Sequence, residues 1–446
     1  QVMNLPESEV HFLWKQVRAE FGERHVKPLH FLRGRYDQVK HNLPTDRIIS
    51  EERQLLLGAY FTHEYSLEAA ALFNPSIVPH PDQSDLPDGS LRFILSLRAT
   101  GEGHVSSITF RTGVADAQSR ISINEPTRFC YEPEQMPHAA YEKALFERKL
   151  HELGLPGDFS RETLRDLGEH FTLDELRAGA KRAADQFRAR DQENATVADK
   201  IVMLAQSNYD VQFPPDSRVS ERVLFPTTPS QRNGIEDARF VLFHGDDGTK
   251  TYCATYTAYD GKMVLPQFIE TQDFLHFKFF TLNGPAVQNK GMALFPRKVG
   301  GRYVMLGRQD YENIYIMFSD HPHFWHSAQK LLQPKFSWEF IQMGNCGSPI
   351  ETEAGWLVLS HGVGAMRKYC IGAFLLDLND PAKVIGRTRE PLITPNENER
   401  EGYVPNVVYT CGALLQGRRL IIPYAMSDYA TTFATVSLDS VLAAME

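Results

Sequence analysis

The sequence predicts an all-β fold: a five-bladed β-propeller with an N-terminal helical region and a helical insertion between the first two blades. Two observations lead to this prediction. Five segments alternate apolar and polar residues with period two, and each contains two strands joined by a polar turn. The last four segments begin at intervals of roughly 50 to 65 residues, a spacing typical of repeated four-stranded sheets. The segments are residues 91–113, 238–259, 302–320, 355–378 and 418–438.

A propeller blade needs a neighbour on each side, because a single sheet cannot bury both of its faces. Five hairpins therefore predict five blades, which occupy residues 73–446. The alternative is a sandwich of two stacked sheets, which the same hairpins could also form.

The N-terminal region, residues 1–72, is predicted to be helical. Its first apolar residues recur at a spacing of three to four, and Gly22 ends this run. A second helix is predicted after Ser50 and a third over residues 66–72. The segment Asn74-Pro75-Ser76 is then interpreted as the first turn. The apolar residues of the first helix are Val10, Leu13, Trp14, Val17 and Phe21.

The helical insertion is predicted over residues 138–207, which are rich in Ala, Leu, Glu and Arg. Thr172 and Glu175 have the spacing of a capping box, and an apolar stripe follows them. The insertion is expected to pack against the N-terminal helices or to bridge subunits of a homo-oligomer. The stripe consists of Leu173, Leu176, Ala180, Ala183 and Phe187.

Composition narrows the class of protein. The net charge of −9 disfavours nucleic acid and anionic membranes as partners, since both bind clustered Lys and Arg. No apolar run approaches the ~20 residues that span a bilayer, and residues 1–9 lack the pattern of a signal peptide. The five cysteines form no C-x-x-C pair. We expect them to be reduced and the protein to be cytoplasmic.

The first candidate for chemistry is the segment NGIEDAR at residues 233–239. Adjacent carboxylates on an extended chain point to opposite faces, so only one of Glu236 and Asp237 is expected to face a central channel. Arg239 shares a face with Asp237 and could hold it. Without further context, the same segment could be a solvated turn.

Further polar residues end or interrupt apolar strands in the later blades. Lys290, Arg308 and His361 could together bind an anion such as phosphate, although structural ion pairs are the alternative for each. The segment His321-x-His323-x-x-His326 lacks a completing Cys or carboxylate, so no metal site is expected. Phosphate-binding loops, dinucleotide motifs and serine-hydrolase motifs are missing from the sequence. The remaining candidates of this kind are Gln342, Asn406 and Asp428.

Several of these segments, in this order, resemble glycoside hydrolase family 130, the mannoside phosphorylases and related β-mannosidases. The resemblance covers roughly residues 73–446. It rests on NGIEDAR, K-G-x-x-LFPRKVGGRYVMLGR, GSPIETEAGWLVLSHGV, LLDLNDPAKVIGR, GYVPNVVYTCG and PYAMSD.

The resemblance implies a five-bladed propeller in which Asp237 is the general acid. It implies an inverting reaction: inorganic phosphate attacks a β-mannoside and releases α-mannose 1-phosphate, with the proton relayed through a mannose hydroxyl. No other cofactor is expected. The phosphate-binding residues would be Lys290, Arg308, Gln342 and His361. The substrate-binding residues would be Asn74, Arg98, Arg239, Asn406 and Asp428.

The sequence departs from the family pattern at the phosphate site. Lys290 occupies a position where phosphorylases usually have Arg, Gly291 one where they have Asn, and Gln342 one where they have Lys. Hydrolytic members have Glu at the positions of Arg308 and Gln342, which this chain lacks, so phosphorolysis is favoured. An inverting β-mannosidase remains an alternative, with Asp310, Glu312 or Glu351 as its base. A glycan-binding propeller without turnover is a second alternative.

Overall fold

The chain forms two compact units in its computed structural model. The smaller unit contains residues 1–67 and 127–130, and the larger contains residues 68–126 and 131–446. The described residues are 1–43, 47–136, 140–155, 157–187, 191–261 and 264–446.

The smaller unit contains helices α1 (Glu7–Phe21), α2 (Pro28–Val39) and α3 (Glu51–Tyr60). The predictions of α1 and α3 are confirmed. The Ser50 Oγ caps α3 by accepting a hydrogen bond from the Arg53 backbone N–H at 3.3 Å. Sequence analysis missed α2, none of whose residues is fully buried.

The third predicted helix, over residues 66–72, is wrong. The chain instead enters strand β1 (Ala71–Pro79), which pairs with the next strand from Ala71 opposite Thr100. The Ala-rich sequence favours a helix locally, but pairing within a sheet outweighs that preference. Asn74-Pro75 is likewise not a turn, because it lies within β1 at a bulge.

The first sheet of the larger unit contains β1, β2 (Leu91–Thr100), β3 (Ser106–Ala115) and β4 (Ile121–Ile123), in that order. The insertion follows. It contains β5 (Glu134–Gln135), β6 (Tyr141–Glu142), α4 (Lys143–Glu152), α5 (Asp158–Leu164), β7 (His170–Phe171), α6 (Leu173–Gln186), α7 (Asp191–Gln206) and β8 (Tyr209–Gln212). Strand β9 (Val223–Leu224) returns to pair with β3.

Four further antiparallel sheets follow. The second contains β10 (Ile235–His244), β11 (Lys250–Tyr259), β12 (Val264–Thr271) and β13 (His276–Thr281), extended by β8 and β5; the third contains β14 (Ala293–Leu294), β15 (Tyr303–Gly307), β16 (Ile314–Ser319) and β17 (Ala328–Leu332). The fourth contains β18 (Gln342–Asn345), β19 (Ile350–Thr352), β20 (Gly355–Val363), β21 (Tyr369–Leu376) and β22 (Val384–Arg387). The fifth contains β23 (Val408–Tyr409), β24 (Leu414–Gln416), β25 (Arg419–Met426) and β26 (Ala430–Ser437). Helix α8 (Leu438–Ala443) follows the fifth sheet.

All five predicted hairpins are confirmed, one in each sheet. They are β2–β3, β10–β11, β15–β16, β20–β21 and β25–β26. The predicted capping box is also confirmed. The Thr172 Oγ1 accepts from the Glu175 N–H at 3.3 Å, and the Glu175 carboxylate accepts from the Thr172 N–H at 2.7 Å. Residues 138, 139, 156 and 188–190 of the predicted insertion lie outside the described residues.

Successive sheets are bonded to each other, and the fifth sheet is bonded to the first. Large apolar clusters lie between consecutive sheets, for example Phe110 with Phe240 between the first and second. The bonds that join the sheets in chain order are Phe240 N to Ser76 Oγ (3.0 Å), His244 N to Pro296 O (2.8 Å), Met343 N to Glu312 O (3.0 Å), Tyr369 N to Asn406 O (3.0 Å) and Cys411 N to Pro75 O (2.8 Å).

The insertion forms a separate apolar core, in which Leu176 and Ala183 of α6 pack with Phe171 and Leu204. The stripe predicted from the sequence is therefore used for packing within the insertion. Four of the five cysteines, Cys253, Cys346, Cys370 and Cys411, are buried. None of the described helices combines the length and apolarity needed to cross a membrane.

Candidate active site

Each sheet carries a predicted site residue on its first strand or just before it. These residues are Asn74 in β1, Asp237 in β10, Lys290 before β14, Gln342 in β18 and Asn406 before β23. The first strands of neighbouring sheets therefore bring together residues far apart in the chain. Arg98 joins them from β2, Arg308 from the end of β15, His361 from β20 and Asp428 from the turn after β25.

Two β-bulges place Asn74 against Asp237. The pairing register of β1 shifts between Phe73 and Ser76, and that of β10 shifts between Glu236 and Arg239. Asn74 and Asp237 adopt positive φ angles of 50° and 56° within these bulges. Such angles strain most L-residues but are tolerated by Asn and Asp. The Asn74 Nδ2 donates a hydrogen bond to the Asp237 Oδ1.

The same bulge brings Glu236 toward the ammonium group that Asp237 faces. The Lys290 Nζ lies 3.6 Å from the Glu236 Oε2 and 4.0 Å from the Asp237 Oδ2. Arg98 also pairs with Glu236, at 2.8 Å. The prediction that only one of the two carboxylates faces the site is therefore wrong. A bulge interrupts the period-two alternation on which that prediction depended.

Arg239 is a buried anchor. It is 2% exposed, and each of its three nitrogens donates to the protein: Nε to the Cys346 carbonyl at 2.8 Å, Nη1 to the Asp237 carbonyl at 2.9 Å and Nη2 to the Tyr409 hydroxyl at 2.7 Å. These bonds allow Arg239 to hold the Asp237 backbone, as expected from the sequence, while its role as a substrate contact stays a prediction.

Arg308 and His361 form a buried pair. The Arg308 Nη1 lies 2.9 Å from the His361 Nε2, and the two residues are 7% and 1% exposed. Burial, reinforced by the Arg308 charge, holds the pKa of His361 well below its usual value. His361 is therefore neutral and accepts the Arg308 hydrogen bond at Nε2, which places its own proton on Nδ1. As a neutral group, His361 can offer an anion a hydrogen-bond donor but no positive charge.

This pair presents unused hydrogen-bond donors. The Arg308 Nε and the His361 Nδ1 have no hydrogen-bond partner among the described residues. Buried donors are normally satisfied, so two adjacent exceptions indicate a place where a ligand is bound. A positive guanidinium beside a neutral imidazole N–H matches the oxygens of an oxyanion such as phosphate.

Gly344 allows the chain to approach Arg308 and His361 closely, and Gly291 supplies a positive φ angle beside Arg308. A Cβ on Gly344 would lie 2.6 Å from the His361 Cε1 and 2.9 Å from the Arg308 Cδ. Gly291 has a φ of 87°, and a Cβ there would lie 3.4 Å from the Arg308 Nε. Asn289 fixes the same segment by donating from Nδ2 to the Arg308 carbonyl at 2.8 Å. Lys290, which lies between Asn289 and Gly291, is thus held next to Arg308.

Gln342 and Asn406 reach the site through Tyr369. The Gln342 Nε2 donates to the Tyr369 hydroxyl at 3.1 Å, and the Tyr369 ring stacks on His361 with ring centroids 5.8 Å apart. The Asn406 carbonyl accepts the Tyr369 backbone N–H at 3.0 Å. Asn406 has a φ of 63°, the same left-handed conformation as Asn74 and Asp237.

The two aspartates of the site have opposite pKa shifts. Burial acts to raise the pKa of Asp237, but the charges of Lys290, Arg239 and Arg98, with the Asn74 hydrogen bond, outweigh burial and lower this pKa to about 2. Burial and the nearby Asp237 charge raise the pKa of Asp428 to about 6. Near neutral pH, Asp237 is therefore ionised, and Asp428 is the carboxyl that most readily takes up a proton.

Two of the three predicted hydrolytic bases, Glu351 and Asp310, are engaged in interactions with residues outside this cluster. Glu351 forms an exposed bidentate pair with Arg297, with bonds of 2.6 and 2.8 Å. Asp310 accepts bonds from Asn313 and Tyr315 within its own turn. The Glu312 backbone, by contrast, joins the third and fourth sheets, and its side chain is exposed. The carboxylates that act electrostatically on Asp237 or share its cation are instead Asp428 and Glu236.

The three histidines at 321, 323 and 326 do not form a metal centre. His323 bonds to Glu270 at 3.1 Å and stacks on Phe280 with ring centroids 4.2 Å apart. In the part of the chain that is described, no three His, Cys, Asp or Glu side chains are arranged to hold a metal ion.

Sequence analysis missed Tyr409 and Gly344 as members of the site, and it expected only one of Glu236 and Asp237 to face it. The sequence could have indicated Gly344. It lies in the segment QMG among apolar strand residues, where a glycine indicates that another group approaches the backbone closely. Tyr409 carries no such signal, since its hydroxyl is brought to Arg239 only by the pairing of β23 with β25.

Gly344→Ala is expected to displace Arg308 and His361. The added methyl group overlaps both side chains, and overpacking of this kind costs about 1–3 kcal/mol of unfolding free energy. We expect a lower melting temperature and a phosphate KM raised roughly tenfold. The matched control is Gly34→Ala in α2, where no atom lies within 4 Å of the new Cβ. Equal effects of the two substitutions would contradict the close approach of the Gly344 backbone to Arg308 and His361.

Asp428→Asn is expected to stabilise the protein at pH 7 but not at pH 4. A carboxyl whose folded-state pKa is raised to about 6 binds more protons when folded than when unfolded, so stability falls as pH rises from about 4 to 6. Asparagine cannot ionise and avoids this loss. Urea unfolding should show a gain on the order of 2 kcal/mol at pH 7. An equal gain at both pH values would indicate that ionisation is not its cause.

The chain matches the sequence profile of a known enzyme family. The sequence profile of glycoside hydrolase family 130, described as beta-1,4-mannooligosaccharide phosphorylase, matches residues 186–446, and the chain belongs to this family. The resemblance stated from the motifs is thereby confirmed.

Individual relatives agree with this assignment. The chain is 34% identical over 232 residues to a 1,2-beta-oligomannan phosphorylase of Thermoanaerobacter sp., covering 50% of this chain and 75% of the relative. It is 31% identical over 236 residues to a beta-1,2-mannobiose phosphorylase of Listeria innocua, covering 50% of this chain and 63% of the relative.

The solved structure of a Listeria innocua beta-1,2-mannobiose phosphorylase in complex with beta-1,2-mannobiose has a similar fold. The TM-score is 0.51 over 85% of this chain and 93% of that one, with 21% sequence identity. At that identity, the similarity concerns the fold alone.

Proposed function

We propose that this protein cleaves β-mannosides with inorganic phosphate and releases α-mannose 1-phosphate. The observation that carries the proposal is a buried carboxyl group, Asp237, next to a cationic site made by Lys290 and Arg308 with unused donors on Arg308 and His361. Relatives named as β-mannoside phosphorylases supply the sugar class.

We infer that the five sheets are the blades of a closed propeller. The inference is supported by the bonds between consecutive sheets, by the Cys411–Pro75 bond from the fifth sheet to the first, and by the apolar clusters between sheets. Closure brings the first strands of all blades to one axis, which explains why residues of five sheets meet at Asp237.

In the proposed reaction, a phosphate oxygen attacks the anomeric carbon of the mannosyl unit while the glycosidic C–O bond breaks. The leaving oxygen takes a proton that Asp237 supplies through a mannose hydroxyl. Arg308 and Lys290 hold the phosphate by charge, and the His361 Nδ1–H adds a neutral donor. One carboxyl group is sufficient, because phosphate is already ionised and requires no base.

Hydrolysis is the competing reaction, and it needs a carboxylate that activates water across the sugar ring. Glu351 and Asp310 are engaged elsewhere, as described above. Near Asp237, the carboxylates that a hydrolase could use are Glu236, which is paired with Arg98, and Asp428, whose raised pKa of about 6 leaves it partly protonated at mildly acidic pH.

The test is the dependence of the rate on phosphate. β-1,2- and β-1,4-mannobiose are each incubated with enzyme in phosphate-free buffer and over a series of phosphate concentrations. We expect negligible cleavage without phosphate and saturation as it is added. A rate that is unchanged by phosphate would reject phosphorolysis in favour of hydrolysis, and no cleavage of any β-mannoside under either condition would leave a sugar-binding protein.

A further inference from the structure

Asp237 presents a chemical difficulty for an acid catalyst. In the free site its pKa is about 2, so it holds no proton to donate near neutral pH. The charges responsible are those of Lys290, Arg239 and Arg98. If Asp237 is to act as an acid, one of these three cations must lose its charge or move away from the Asp237 carboxylate during catalysis.

Two of the three cations are fixed. Arg239 donates three hydrogen bonds and is 2% exposed. Arg98 donates to Glu236 at 2.8 Å and lies over the Phe73 ring at 4.9 Å. Moving either group would break buried interactions, so neither is suited to respond to a ligand.

Lys290 is held more loosely. Its ammonium is 3.6 Å from Glu236 and 4.0 Å from Asp237, beyond ordinary hydrogen-bond distance, and its side chain is 35% exposed. Its neighbour Asn289 donates a hydrogen bond to the Arg308 carbonyl, and a Cβ on its other neighbour, Gly291, would lie 3.4 Å from the Arg308 Nε. A phosphate bound by Arg308 therefore lies within reach of the flexible Lys290 side chain and would compete with the carboxylates for it.

We propose that Lys290 links phosphate binding to proton uptake by Asp237: its ammonium group moves from the two carboxylates to the phosphate, and Asp237 then accepts from solvent the proton that it later donates. This inference rests on the proposed function and names Lys290 as the positioning residue for the acid. The two equilibria are reciprocal, so protonation of Asp237 also favours phosphate binding.

Other titratable groups around Asp237 limit the conditions of a test. Glu236 and Asp428 are its acidic neighbours, and Asp428, with a pKa of about 6, is mostly protonated at about pH 5. Three further neighbours are neutral at this pH. The pKa of His361 is far below its usual value, and the pKa values of Tyr409 and Cys411 are far above theirs. Asp237, with its pKa of about 2, is ionised at about pH 5.

The experiment counts the protons taken up when sulfate binds at about pH 5. Sulfate replaces phosphate because it stays dianionic there and takes up no proton itself. Calorimetric titrations in two buffers with different ionisation enthalpies give the number of protons per bound sulfate. We expect an uptake close to one in the wild type, under half of that in Lys290→Met, and almost none in Asp237→Asn.

Lys298→Met is the matched control, since Lys298 lies in the connection between β14 and β15 and pairs with exposed Asp246 at 3.1 Å. Its uptake should equal that of the wild type. Wild-type uptake in Lys290→Met at saturating sulfate, or in Asp237→Asn, would overturn the proposal, as would sulfate binding without uptake in the wild type. The measurement uses no mannoside, so release of free mannose in the rate assay would reject phosphorolysis without deciding this result.

Discussion

Asp237→Asn should lower kcat for mannoside cleavage by about 10²- to 10⁴-fold, the range expected when a general acid is removed. The carboxamide is nearly isosteric with the carboxyl group, and its oxygen can still accept the hydrogen bond from Asn74. The fold and mannoside binding should therefore be retained. Steady-state kinetics, thermal unfolding and a binding titration with mannobiose measure the three quantities.

Glu351→Gln is the control for this substitution, because Glu351 is an exposed carboxylate paired with Arg297. It should change kcat by less than about twofold, as surface ion pairs contribute little. If Glu351→Gln abolished turnover while Asp237→Asn retained activity within a few-fold of the wild type, another residue would be the acid, and the site would have to be placed elsewhere.

Arg308→Gln should raise the KM for phosphate by about 10- to 100-fold, with a much smaller change in the KM for the mannoside. A hydrogen bond to a charged group contributes about 1.5–3 kcal/mol, which corresponds to this range. Gln retains a donor for the His361 Nε2, so the buried imidazole keeps a partner. Initial rates over a grid of phosphate and mannoside concentrations separate the two KM values.

Arg297→Gln provides the comparison, since Arg297 lies in the connection between β14 and β15, is 40% exposed and pairs with Glu351. Its phosphate KM should be unchanged. An Arg308→Gln enzyme with normal phosphate KM and a raised mannoside KM would mean that Arg308 binds sugar, which contradicts the assignment of the anion site.

The hairpins were predictable because a period-two pattern is a property of one short segment. The residues 238–259 and 355–378 each contain both strands of a hairpin and its turn, and both formed as expected. The segment at 66–72 failed for the opposite reason. Its local preference is helical, while its actual structure depends on β2, more than twenty residues away.

The site was predictable in its membership more than in its electrostatics. Asp237, Lys290, Arg308 and His361 were all found from polar residues at the ends of apolar strands and from the family motifs. The charge state of His361 depends on burial against Arg308, 53 residues away, which no local pattern reveals. The orientation of Glu236 depends on a bulge whose positive φ at Asp237 is fixed by contacts with another sheet.

The most direct test of the account is to identify the first product by NMR. Enzyme is added to β-mannobiose and inorganic phosphate, and ³¹P and ¹H spectra follow the reaction. The account predicts that the phosphate signal decreases as α-mannose 1-phosphate forms, one molecule for each glycosidic bond broken, because attack opposite the leaving group inverts the anomeric carbon. Free mannose with an unchanged phosphate signal, or β-mannose 1-phosphate, would contradict it.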